Sequence, residues 1–467
     1  MQYQLNLSGL HHQQLREHLF PADGMEAVAV ALCGRYRHGN LTKLLVSELV
    51  CIPIEQCERG ADYVRWSTNF LLPLLEKAQR RGMAILKIHS HPGGYDQFSE
   101  TDDQSDGDLF PSVFGWVDGD EPHASAVMLP DGRVFGRVFL PDNSCHPFDK
   151  VLVAGDQIQL WTDEPVADIA REAGQRTAQA FGEQSYELLR RLKIGVVGCS
   201  GTGSPVIEQL ARLQVGHLVL VDPDFIEKKN LNRILHSTYQ DSLAKRPKVD
   251  VLGDGVLAMQ LGTHVTRIQA NLYDDPDVLL ELAGCDVLIG CMDSVDGRFL
   301  LNRLATFYLV PYIDLGVKLQ ADGKAGIEHI SGAVHYLQPG KSSLMTRGMF
   351  DEKDVRSASE YRKNPETFAE RVKHDYFRDV PVNRPAVVSV NMMTASAAIC
   401  ELLNRLHPFR KGHLSEYAHQ VLEMTEGYWA NTDEEHFSAD QYLARKIGRG
   451  TLRPLLEMVE LDSSVVC

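Results

Sequence analysis

The chain has 467 residues, too many for one ordinary core and enough for two or three domains that fold without disulfides or structural metals. Forty-seven Lys and Arg against 63 Asp and Glu give a formal net charge of −16, so no field favours a phosphate backbone or an anionic membrane, and nucleic acid is not an expected partner. The nine cysteines stand singly with no CxxC pair, the N-terminus lacks a charged-then-apolar leader, and no window approaches the ~18 apolar residues of a membrane span; the expectation is a cytoplasmic protein.

In chain order, "MEAVAVALCG" alternates like a half-buried strand, "STNFLLPLLEKAQRRG" carries helix periodicity, "MAILKIHSH" is a second strand and "SAVMLPDGRVFGRVFL" reads as a hairpin around Pro-Asp-Gly. These place an α+β domain at 1–150. Residues 141–165 read as an ordered connection, and a connecting segment with a polar helix occupies 151–192. Then "LKIGVVG", "HLVLVDPD", "CDVLIGCMD" and "VPYIDLGV" are strands and "SPVIEQLARLQ" and "GRFLLNRLATFYL" helices, an alternation that predicts a doubly wound, mostly parallel sheet over 193–410. Residues 335–385 are polar, "AVVSVNMMTASAAICELLNRL" is a long apolar helix, and 411–467 is an extension with no assigned role.

The stretch "KIHSHPGGYDQFSETDDQSD" at 87–106 concentrates titratable groups behind an apolar run. His89 and His91, two apart on a strand, emerge on one face, close enough to share an ion. With Asp102 they make a set of three protein ligands that leaves a fourth place for water, as in a hydrolytic zinc site. The structural alternative is a capping box at Ser99 and Asp102 with surface polarity at the strand end; Asp103 and Asp106 read as solvated helix surface. The whole pattern, His-x-His-Pro followed by Ser-x-x-Asp, resembles the JAMM motif of JAB/MPN metallopeptidases. That resemblance implies zinc on His89, His91 and Asp102, Glu26 as the general base on an early strand, and Ser99 as a stabiliser of the oxyanion. Members that keep these residues cleave peptide or isopeptide bonds after the terminal glycine of ubiquitin-like proteins, while degenerate members only bind.

A second stretch, "GVVGCSGTGSPVIEQL" at 195–210, follows a strand and opens a helix, so Gly198, Gly201 and Gly203 allow backbone amides to approach an anion. Ser200 stands where a dinucleotide fingerprint wants glycine, and Asp222 equally suits the ribose of NAD, which leaves a dehydrogenase open. The later series "VDPDFIEKKNLNRI", "AKRPKVDV" and "GCMDSVDGR" resembles the ThiF/MoeB/ubiquitin-activating superfamily from about 166 to 410. The resemblance implies a Rossmann-type ThiF-like fold that uses ATP and Mg²⁺ to adenylate a protein's terminal carboxylate. It puts Asp222 on the ribose, Asn230, Arg233 and Lys248 on the triphosphate, and Asp293 on magnesium, and makes Arg176 an arginine that enters a partner subunit's site. The resemblance also implies a homodimer, since Arg176 would need a neighbouring subunit to enter.

Many relatives of this kind carry an acceptor cysteine after the fourth strand, yet 335–385 has none. Three routes remain: transfer straight to a conjugating-enzyme-like protein, an oxyester on Ser342, Ser343 or Thr346, or use of a distant cysteine such as Cys467. Cys199 and Cys291 read as packing residues. The fusion resembles proteins of bacterial ubiquitin-like conjugation systems, which are associated with phage defence, and implies processing plus adenylation of a ubiquitin-like protein. A binding scaffold with inactive sites, or activation of a sulfur-carrier protein, are the alternatives.

Overall fold

Along the strand β2 (Val28–His38), Val28, Val30 and Leu32 enter one apolar core while Ala29, Ala31 and Cys33 enter another, because successive side chains of a strand point to opposite faces. A strand buried on both faces needs helices on both sides. Helix α1 (Gly9–Leu19) contributes Leu15 and Leu19 to one core; α2 (Leu72–Arg81) and α3 (Glu100–Trp116) contribute Leu74, Leu75, Phe110 and Val113 to the other.

The structure is a computed structural model that describes residues 1–163, 165, 170–321, 326–366, 368, 372 and 387–462. Cys467, part of the polar run before residue 192 and part of the 335–385 segment lie outside the described residues. The chain divides into two units, the first made of Met1–Glu164, Thr306–Leu309 and Arg445–Glu457, the second of Pro165–Ala305, Val310–Ala444 and Met458–Cys467.

The first unit also contains β1 (Gln2–Ser8), β3 (Leu41–Cys51), a separate hairpin of β4 (Cys57–Arg59) and β5 (Val64–Trp66), then β6 (Ala84–Ser90), β7 (His123–Met128), β8 (Val134–Phe139), β9 (Cys145–Pro147), β10 (Lys150–Ala154) and β11 (Ile158–Thr162). Its main sheet has the order β11-β10-β1-β3-β2-β6-β7-β8-β9. The stretch 141–165, expected to be a connection, thus supplies three of its strands. Residues 445–457 are stitched onto this unit by backbone bonds: Gly34 N–H donates to Gly448 O (3.2 Å) and Thr451 N–H to Arg35 O (2.8 Å), while Ser47 Oγ donates to Ile447 O (2.7 Å). A Cβ on Gly34 would lie 2.1 Å from Gly448 O, so only glycine allows this approach.

The second unit opens with α4 (Arg171–Phe181) and α5 (Glu183–Arg191) and builds a sheet from β12 (Lys193–Val197), β13 (His217–Val221), β14 (His264–Ile268), β15 (Val287–Gly290), β16 (Tyr312–Ala321), β17 (Ile327–Leu337), β18 (His419–Glu423) and β19 (Tyr428–Thr432). The order is β14-β13-β12-β15-β16-β17-β18-β19. The first five are parallel neighbours and the last three antiparallel. Helices α6 (Gly203–Arg212), α7 (Tyr239–Ala244), α8 (Lys248–Ala258), α9 (Pro276–Ala283), α10 (Val295–Tyr308), α11 (Glu352–Lys363) and α12 (Val388–Leu406) complete the alternation, with α12 lying on α6, β16 and β17. The extension after 411 therefore contains two strands of the sheet.

On the sheet's other face the register aligns Asp314, His335 and His419 across β16, β17 and β18. Asp314 pairs with Arg298 and accepts the Tyr312 hydroxyl at 2.8 Å. The His335 and His419 rings stack at 4.1 Å, and buried Arg347 pairs with Glu434 at 2.6 Å.

Candidate functional site

β6 is buried along its whole length, and it ends by delivering His89 and then His91 to one point. Opposite them, Ser99 caps α3: its Oγ accepts the Asp102 N–H at 3.1 Å, while Asp102 Oδ2 accepts the Ser99 N–H at 2.8 Å and the Ser99 hydroxyl at 2.7 Å. The capping box is real, and it turns the Asp102 carboxylate toward the histidines. Oδ1 lies 2.8 Å from His89 Nε2 and Oδ2 3.3 Å from His91 Nε2, and those two nitrogens are 3.2 Å apart. Glu26, just before β2, brings its carboxylate to 3.9 Å from His91 Nε2. All four side chains are buried.

His91 Nδ1 is 2.7 Å from the Tyr95 carbonyl, which only accepts, so Nδ1 carries a proton and Nε2 presents its lone pair inward. Imidazole lone pairs and a carboxylate crowd one point, an arrangement that a cation satisfies. Glu26, His89 and His91 each bring a ligand atom within 4.8 Å of the others, and Asp102 lies closer still to both histidines. Nitrogen and oxygen donors of this kind suit zinc.

Burial raises the Glu26 pKa to about 7, opposed by nearby His91 and reinforced by Asp102. Burial lowers that of His89. Burial alone would raise Asp102, but the two adjacent imidazoles and the Ser99 N–H hold it far below the usual carboxylate range.

Asp106, read from sequence as solvated surface, is fully buried: it pairs with Lys87 and with Arg137, each at 2.7 Å, behind the strand that carries His89. Asp103 is exposed and pairs with Arg137. The spacing of Asp106, one turn beyond Asp102 on the same helix face, was the signal that it points inward.

In the second unit, Gly198 has φ +94° and a Cβ there would lie 2.7 Å from Cys291 O; at Gly203 the clash would be 1.8 Å from Gly198 O. The loop between β12 and α6 is thus closed by glycine alone. Asp222 Oδ2 accepts the Cys199 N–H at 2.7 Å, which joins the end of β13 to this loop. Buried Lys248 stands 3.4 Å from Asp222 and 2.7 Å from Asp224. Burial works against its charge, but the two carboxylates hold its pKa above the ordinary lysine value.

Asp293 is exposed two residues beyond Cys291, whose carbonyl abuts Gly198. The Arg233 guanidinium turns to Lys229 O (2.7 Å) and Asn232 Oδ1 (3.0 Å), although its side-chain stem borders Gly201. Asn230 is buried and accepts the Glu227 N–H at 3.0 Å. Arg176 is exposed on α4. Asp224 was missed as a Lys248 partner despite the visible "VDPD", and Asn391 of α12, whose amide lies against Gly201, gave no sequence signal.

The hydroxyls proposed for an oxyester are occupied. Ser342 Oγ accepts from Arg347 (2.8 Å), buried Ser343 donates to Asp440 (2.7 Å), and Thr346 Oγ1 accepts the Ser343 N–H (2.9 Å). Cys199 and Cys291 are buried, as packing residues are. Among the described residues no helix is long and apolar enough to cross a membrane.

A family model described as the ThiF family matches residues 173–440. The chain belongs to the ThiF family. A second model, prokaryotic homologs of the JAB domain, matches residues 10–134 of this ThiF-family chain, so the expected fusion is present. Over 159 residues it is 31% identical to the adenylyltransferase and sulfurtransferase MOCS3 of Drosophila persimilis, covering 34% of either chain. Over 145 residues it is 31% identical to the SAMP-activating enzyme E1 of Haloferax volcanii, covering 31% of this chain and 52% of that one. The chain thus spans about a third of the first relative and about half of the second. A crystal structure of Escherichia coli MccB aligns with a TM-score of 0.44 at 17% identity, covering 60% of this chain and 74% of that one. The ThiF-like, Rossmann-type α/β fold after an α+β JAB domain is the fold class expected from the sequence.

Proposed function

We propose that the protein is a bifunctional enzyme acting on the C-terminal tail of a ubiquitin-like protein: a zinc-dependent peptidase or isopeptidase in the first unit, whose sheet runs on past residue 150 to β11, and an ATP-dependent adenylating domain in the second, whose sheet runs on past residue 410 to β19. The observation that carries this reading is the convergence of Glu26, His89, His91 and Asp102 at one buried point in a chain of the ThiF family.

His89, His91 and Asp102 would hold zinc, since Asp102 approaches both imidazoles more closely than Glu26 does. Zinc supplies a Lewis acid that lowers the pKa of water. Glu26, with a pKa near neutrality, is suited to accept the proton of the attacking water and return it to the leaving amine. The Tyr95 carbonyl fixes the tautomer of His91. The Ser99 hydroxyl, here donating to Asp102, would turn to an oxyanion.

In the adenylating half, the amides of the Gly198, Gly201 and Gly203 loop would meet phosphate at the start of α6. Asp222 would bind ribose, Asn230, Arg233 and Lys248 the triphosphate, and Asp293 magnesium; cations there offset the repulsion between an attacking carboxylate and the nucleotide. Exposed Arg176 would serve a second copy in a homodimer. With the hydroxyls of 342–346 engaged, direct transfer to a conjugating-enzyme-like protein is the favoured exit. The name of the Drosophila relative pairs adenylyl transfer with sulfur transfer, which supports sulfur-carrier activation as a second reading.

The test uses ATP–pyrophosphate exchange and cleavage of diglycine isopeptide substrates by wild type, Glu26→Ala and Asp293→Ala. Glu26→Ala should lose cleavage and keep exchange, and Asp293→Ala the reverse. Cleavage undiminished in Glu26→Ala would remove the peptidase half of the proposal.

A further inference from the structure

Glu26 sits two residues before β2 begins, and both of its peptide groups are held by the short β4–β5 hairpin, which belongs to no recognised motif. Its N–H donates to Gly60 O at 2.8 Å, and its carbonyl accepts from Arg59 Nε at 2.6 Å. The rest of the guanidinium reaches Asp23 (2.8 and 3.2 Å) and the Met25 carbonyl (3.0 Å). Arg59 is 6% exposed at its side chain. The hairpin turn is itself tight, with Gly60 N–H donating to Tyr63 O at 2.9 Å and the Tyr63 ring 2.3 Å from where a Cβ on Gly60 would stand.

On the other side, Ala27 N–H donates to Ser90 Oγ and Ser90 N–H to Ala27 O, each at 3.0 Å, so the residue after Glu26 is tied to the strand that carries His89. Glu26 is therefore suspended between β6 and the hairpin. Its carboxylate is 3.9 Å from His91, beyond hydrogen-bond reach, so its aim depends on how its backbone is held.

We infer that Arg59 is a positioning residue for the peptidase reaction: its planar fork locks the 23–26 backbone so that the Glu26 carboxylate faces the His89, His91 and Asp102 cluster. Lysine does this only in part, because a single ammonium does not span the Glu26 carbonyl, the Met25 carbonyl and Asp23 in one rigid geometry. The inference rests on the reading of Glu26 as the base. It adds a residue from outside the JAMM pattern and assigns the hairpin a part in catalysis.

The test compares wild type, Arg59→Ala and Arg59→Lys by crystallography of the zinc-loaded full chain, by zinc content, and by turnover of a quenched peptide containing a Gly-Gly-(ε)Lys isopeptide bond. Zinc content should be equal in all three. In Arg59→Ala the Glu26 carboxylate should move by about 1 Å or more, with kcat lowered on the order of 100-fold and KM little changed; Arg59→Lys should fall between. A Glu26 carboxylate that superposes within about 0.5 Å of wild type in Arg59→Ala overturns the inference whatever the kinetics. Should Arg59→Ala not fold, Arg59→Lys carries the same comparison. Failure of wild type to cleave the peptide would count against the peptidase reading, and the crystallographic comparison would still judge Arg59.

Discussion

The Nε2 atoms of His89 and His91 stand 3.2 Å apart, with one Asp102 oxygen 2.8 Å from the first and the other 3.3 Å from the second. Such a knot of acceptors is stable only around a proton or a cation. Purified protein should carry about one zinc per chain by elemental analysis. His91→Ala and Asp102→Ala should lose it, and stripping by a chelator should lower Tm in a way that added zinc reverses, since a ligand bound only by the folded state stabilises it. A wild type without metal and without a Tm response to zinc would contradict this.

Glu26 is the second case. Its folded pKa of about 7 lies above its ordinary 4.5 because of burial. A carboxyl raised on folding contributes stability that is full below about 4.5 and is lost as pH rises through about 7. In metal-free protein, Glu26→Gln should therefore gain Tm over wild type between about pH 5 and pH 8. The same variant, loaded with zinc, should lose cleavage by roughly 10²–10⁴-fold. A pH-independent Tm difference would mean that Glu26 is ionised throughout.

His335 and His419 make the opposite kind of titration. Burial pushes His335 far below 6.5 and His419 down to about 4, with Arg347 adding to both. Folded, they stay neutral, while the unfolded chain takes up protons below about 6.5. Stability present above pH 6.5 is thus lost as pH falls toward about 4. Denaturant unfolding across that range should show the decline, and His419→Phe, which keeps a ring against His335, should flatten it.

For the nucleotide loop, Gly203→Ala sets a Cβ 1.8 Å from Gly198 O, so the loop must open. ATP–pyrophosphate exchange should fall by about 10²-fold or more in Gly203→Ala and in Lys248→Ala, while isopeptide cleavage stays at the wild-type level. Unchanged exchange in both would separate this loop from ATP.

Arg347 and Glu434 form a buried ion pair, with Arg347 also donating to the carbonyls of Tyr336 and Ala418. Removing one partner leaves a buried charge alone. Glu434→Ala should cost about 3–5 kcal/mol in denaturant unfolding. A cost under about 1 kcal/mol would show that Arg347 finds water there.

Sequence reasoning reached the parts of the fold whose residues repeat with a clear period. β12 and β13 are apolar after their first residue and β6 is apolar up to Lys87, and Gly198 and Gly203 sit where only glycine closes the loop. β18 and β19, "HQVLE" and "YWANT", are short and polar on one side, so nothing in their period separates them from loop. The zinc-type cluster was legible because HxH and Ser-x-x-Asp are local patterns. Arg59 was not, because its work is done through backbone carbonyls more than thirty residues away, and a carbonyl leaves no mark on the side-chain sequence. Asp106 was misjudged because its partners Lys87 and Arg137 come from separate strands.

The clip formed by residues 445–457 bears on how the polypeptide can be dissected. A fragment ending near residue 164 would keep every member of the histidine cluster and yet strip Gly34, Arg35 and Ser47 of the backbone they grip at 447–451. Truncation from the far end would peel the same seam. Neither unit is a single continuous segment, so removing residues 445–457 should be felt at Gly34, Arg35 and Ser47, some four hundred positions earlier in the chain.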